Sequence, residues 1–190
     1  MTTYLQLRKA PVQEIEEYYE WFMTTLEQRL KEFEAVYCAT GGEGKLNRSS
    51  TSLGPLATWL KQNVEYRYLT GEELATAKAS SPAFAHDGLK RPILTEKWLG
   101  RIAEVGAYFG EVLRKSFPTL AWGLSNKKRK WACFGHPVVM TPTGFEVPVL
   151  DRAHVFILRM NKSSDPATDL IMLFHQWKAA ISRDLAQTRA

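Results

Sequence analysis

Between Pro11 and Cys38, apolar side chains return every three or four positions: Ile15, Tyr18, Tyr19, Phe22, Leu26, Leu30, Phe33 and Tyr37. That is the period of a helix face, and no glycine interrupts it. Pro11 at the first turn suits a helix start, and so do Glu14, Glu16, Glu17 and Glu20, whose charge opposes the positive end of the helix dipole. The spacing predicts a long first helix. It should end in GGEGKLNRSSTS, where glycine and hydroxyl residues favour other backbone. Ser52 is placed to cap a second helix with Leu53, Leu56, Leu60 and Val64 on one side, and Pro55 falls where a missing amide hydrogen costs little. Thr70 and Glu73 have capping-box spacing for a short third helix to Lys78. SSPAFAHDGLKRP then reads as a long connection.

Thr95 opens a fourth helix to Ser116, striped by Trp98, Ile102, Val105, Phe109, Val112 and Leu113. Gly106 and Gly110, four apart, each weaken it by up to about 1 kcal/mol relative to Ala, which implies close packing against another element. Past Pro118 the texture changes. LAWGL, WACFG, PVVM, FEVPV and AHVFILRM are short β-branched or aromatic runs, separated by SNKKRK, TPTG and LDR. They predict an antiparallel meander of about four strands. The last, apolar on both alternating faces, should be central. Asp165 and Pro166 begin a C-terminal helix that buries Leu170, Leu173, Trp177, Ile181 and Leu185. Helices, then strands, then a helix predict an α+β fold with the C-terminal helix packed on the sheet. Residues 1–190 read as one domain, without repeat or linker.

Composition changes this picture little. The length suffices for a sizeable core. Two cysteines, Cys38 and Cys133, do not make a disulfide framework, which points to a reducing cytoplasm. No export signal is legible at the N-terminus. No apolar run approaches the roughly 18 residues of a membrane span, so no membrane partner is expected. Charge is uneven: residues 1–95 carry 11 Lys and Arg against 12 Asp and Glu, and residues 96–190 carry 14 against 8. Much of that excess is one run, Lys127, Lys128, Arg129 and Lys130, followed by Trp131.

The candidate chemistry is sparse. Gly41–Lys45 mimics a phosphate loop, yet Ala39 stands where the first glycine belongs and Leu46 where Ser or Thr should be. Cys133 and His136 are three apart and His154 follows, but the second close ligand pair of a zinc site is missing. His86 beside Asp87 reads as a turn. No hydrolase motif is present, and neither catalytic residues, metal nor cofactor are predicted. The basic run is a candidate hairpin tip for an acidic partner or for nucleic acid phosphates, with Trp131 free to stack. Trp98, His136 and His154 are candidates to line a pocket between helices and sheet.

Two stretches carry a resemblance: SLGPLATWL at Ser52–Leu60, and AYFGEVLR at Ala107–Arg114 followed by Trp122. A helix of that pattern before a Trp-bearing strand resembles small uncharacterised bacterial α+β proteins, some of them grouped with polymorphic-toxin immunity proteins. The resemblance spans about half the chain. It implies binding rather than catalysis. The residues themselves assign Gly110 only a packing role and Glu111 only a helix-surface charge. The leading expectation is therefore a non-catalytic protein-interaction module whose partner is another protein. The alternatives are a nucleic-acid-associated protein acting through 127–130, and a small-ligand binder or enzyme.

Overall fold

The computed structural model describes residues 7, 9–125 and 131–187. Six α-helices dominate them: α1 (Val12–Ala39), α2 (Leu53–Asn63), α3 (Gly71–Ala79), α4 (Glu96–Ser116), α5 (Val149–Met160) and α6 (Pro166–Gln187). Five short strands make two small antiparallel sheets. β1 (Tyr66–Arg67) pairs with β2 (Ile93–Leu94), and β3 (Ala121–Leu124), β4 (Pro137–Met140) and β5 (Glu146–Val147) form the other in that order.

This corrects the α+β meander. The protein is mostly helical with a short three-stranded sheet, not a four-strand meander with a helix laid on it. Two segments account for the difference. WACFG is a turn, in which His136 N–H donates to Cys133 O at 3.0 Å. AHVFILRM is the body of α5. The supposed turn LDR is that helix's first turn, and including it restores the helical period: Val149, Leu150, Ala153, Phe156, Ile157 and Met160 are buried. Val155 and Leu158, which a two-faced strand would cover, are 37% and 41% exposed.

α4 is the hub. Every residue from Val105 to Leu113 is buried, so this helix is covered all round. Its two glycines explain how. A Cβ on Gly106 would stand 2.8 Å from Leu150 Cα, so the backbone of α5 lies directly on α4 there. A Cβ on Gly110 would stand 2.6 Å from Trp122 Cη2, so the β3 tryptophan packs directly against that turn. On another side Tyr108 meets Phe33 of α1, with ring centres 6.3 Å apart. Buried residues from Leu7 to Ile181 form one hydrophobic cluster.

The helix starts vary in chemistry. Thr70 and Glu73 make the predicted capping box. Ser52 sits at the start of α2 but does not cap it; its hydroxyl donates to Ser49 O at 2.6 Å and meets Tyr108 Oη at 2.6 Å. Thr95 likewise precedes α4 without capping it, and its buried Oγ1 has no hydrogen-bond partner among the described residues. Asp165 does cap α6, accepting from Thr168 N at 3.1 Å. That helix packs chiefly on α2 rather than on the sheet.

Candidate functional site

α5 turns its buried face to α4, and α6 turns its buried face to α2. Because each helix follows a different neighbour, a groove remains between them. Its volume is about 370 Å³, and Phe156, Met160 and Leu173 lie along it with Val155 and Met172. Arg152, Arg159, Asp169 and Gln176 supply its polar atoms. Val155 and Met172, on opposite helices, are 37% and 52% exposed. The Arg152 guanidinium lies 5.5 Å from the Trp177 ring centre, while Asp169 accepts from Ser163 Oγ at 2.5 Å.

Of the three residues expected to line a pocket, the structure brings two to one carboxylate. His136, which precedes β4, is 2% exposed, and its Nδ1 lies 2.9 Å from Asp151 Oδ2 in the first turn of α5. His154 follows one turn later on α5. Burial lowers its imidazole below the ordinary value, with the Asp151 charge opposing. Ser125 is tied in as well: its N–H donates to His136 O at 2.9 Å, and its hydroxyl donates to the buried Glu146 at 2.7 Å. Cys133 Sγ lies 3.8 Å from that hydroxyl. Trp98 is elsewhere, buried against Trp59 with ring centres 5.8 Å apart. No group of three His, Cys, Asp or Glu suited to a metal ion occurs among the described residues. His136 and Asp151 thus join the sheet to α5, and neither borders the α5–α6 groove.

The basic run Lys127–Lys130 lies outside the described residues. Trp131, just beyond it, is 54% exposed. Gly41–Lys45 terminates α1, with Gly41 and Gly44 at φ of 86° and 74°. His86 Nε2 faces Lys78 O at 3.2 Å and Ser81 O at 3.1 Å, so it organises its own loop.

The AYFGEVLR segment and Trp122 form a connected network that sequence reasoning missed. Glu111 is no surface charge: it is 8% exposed, and its Oε1 accepts from Trp122 Nε1 and Arg114 Nη1, each at 2.7 Å. Arg48 Nη1 stands 3.8 Å from its other oxygen. Arg48 also holds Glu27 with two bonds, at 2.9 and 2.7 Å, and its backbone N–H donates to Tyr108 Oη at 3.0 Å. Its φ of 57° makes it the one non-glycine residue with positive φ among those described. Each cation here is engaged internally, including Lys115 Nζ, which donates to Asn47 O at 2.9 Å. The network's evident role is to clasp α1, α4, β3 and the 40–52 loop.

Family models, curated proteins and solved structures alike gave no match to this chain. No helix among the described residues is long and apolar enough to cross a membrane.

Proposed function

We propose that this chain is a non-catalytic protein-interaction module whose contact face is the outer side of α5 and α6. The observation that carries the reading is the apolar character of that face. Val155 and Met172 are 37% and 52% exposed, on two consecutive helices, and border one groove. Exposed apolar side chains on both rims of a groove suit a surface that a partner covers. The buried His136–Asp151 pair favours no catalytic reading, because an imidazole 2% exposed has no access to a substrate. The module would act by occlusion, a mode compatible with the binding that the immunity-like resemblance implies.

The test is capture of the tagged chain from native lysate treated with nuclease, beside a Val155→Lys/Met172→Lys variant of unchanged circular dichroism. A stoichiometric protein retained by the wild type and lost from the variant is the expected result. A partner that the variant keeps would remove this face from consideration. Recovery that disappears with nuclease would favour nucleic acid bound through 127–130.

A further inference from the structure

We infer that the α5–α6 groove receives an acidic amphipathic helix of a partner protein, clamped at two points by Arg152 and Arg159. The inference rests on the interaction reading above and adds the chemistry of the partner.

The argument begins with spacing. Arg152, Val155, Phe156 and Arg159 stand at i, i+3, i+4 and i+7 on α5, so two arginines bracket an apolar turn on one face. Asp169, Met172, Leu173 and Gln176 repeat that spacing on α6. Two helical walls with an apolar floor match a third helix better than a strand, because a strand docks through the free edge of a sheet and this groove has none. Seven residues of helix rise about 10 Å, so the two guanidinium groups sit about two turns apart along a docked helix.

Charge then chooses among helices. Among the described residues neither arginine has a carboxylate within ion-pair reach; Arg152 rests only on the Trp177 ring. The groove's one acid, Asp169, is already engaged by Ser163 beside the α5–α6 connection. Two cations without a carboxylate partner among the described residues, flanking apolar side chains, complement a helix that carries Asp or Glu beside an apolar stripe. Acids at i and i+7 on such a helix meet both arginines, and the positive field steers the encounter. Phosphate groups could meet the two guanidinium groups but would leave the apolar side chains of Phe156, Met160 and Leu173 between them uncovered, which the apolar stripe of a helix fills.

The experiment uses the full chain and two synthetic helical peptides of roughly 18 residues. Both carry the same leucine stripe; one has Glu and the other Lys at the flanking positions. Affinity is read by fluorescence anisotropy, and the contact face by amide chemical-shift mapping. The Glu peptide is expected to bind about tenfold tighter or better, to shift amides of residues 149–160 and 166–177, and to lose that advantage on Arg152→Glu/Arg159→Glu. Equal affinities, no binding by either peptide, or an advantage that survives the charge reversal would each overturn the inference. So would flotation of the chain with phosphatidylserine vesicles in place of peptide binding, which would assign the face to a lipid surface. If the native partner is still lost from Val155→Lys/Met172→Lys while the peptides fail to discriminate, the interaction reading stands and only the acidic helix falls.

Discussion

Trp122 donates its indole N–H to Glu111 across 2.7 Å, and Gly110 provides the space in which the ring lies. The ring is held on its other side by Phe22, with centres 5.2 Å apart, and a Cβ on Gly110 would also meet Val139 Cγ2 at 3.1 Å. Gly110→Ala therefore cannot be absorbed by a small shift. It should destabilise by about 1–3 kcal/mol in urea unfolding, although alanine is the better helix former. Gly100→Ala on the same helix is the control. Nothing lies within 4 Å of a Cβ there, so it should be neutral or mildly stabilising.

The register of α5 is tested by neighbouring residues. Ile157 is fully buried and Leu158 is 41% exposed. Ile157→Ala should cost about 2–5 kcal/mol, as for other large core truncations. Leu158→Ala should stay within about 0.5 kcal/mol, as expected for a surface position. Similar large losses at both would restore the two-faced strand.

Arg48 separates backbone strain from side-chain bonding. Both Arg48→Ala and Arg48→Gly lose the two bonds to Glu27, but only alanine keeps a Cβ at φ 57°. The glycine variant should be the more stable by about 1 kcal/mol, once its greater freedom when unfolded is set against the left-handed penalty. Paired denaturation curves measure the difference.

His154 gives a pH dependence of known sign. Burial lowers its folded pKa below the ordinary 6.5, despite the Asp151 charge that His136 shares. The unfolded chain therefore binds this proton more readily than the folded one. The contribution is complete above 6.5 and declines as pH falls below it, until the folded imidazole also protonates. Stability measured between neutral and mildly acidic pH should fall less steeply for His154→Gln than for the wild type. A wild-type slope unchanged by the substitution would contradict the assignment.

The helical half of this architecture was legible because it is written locally. The Ile15–Tyr37 stripe, the Thr70–Glu73 box and the Asp165 cap each lie within a few turns of chain. What failed was a boundary: AHVFILRM has strand composition, and its helical period shows only when Val149–Arg152 is joined to it. The same misreading hid Asp151, the carboxylate that makes neighbours of His136 and His154. Trp98 was placed in a pocket because size does not reveal that another tryptophan, 39 positions earlier, covers it. Glu111 looked like surface because its indole partner lies on a different element. The groove was invisible for a related reason, since it exists only because α5 and α6 follow different neighbours.

The pairing of α2 with α6 also orders events at the ribosome. Gly54 meets Ile171, and Lys61 Nζ reaches Ser163 O, across more than a hundred residues. During vectorial synthesis α2 emerges early, yet the helix that packs on it is made more than a hundred residues later. Until then the side of α2 that holds Gly54 lacks its cover, and emergence of α6 is the step that closes this helix pair.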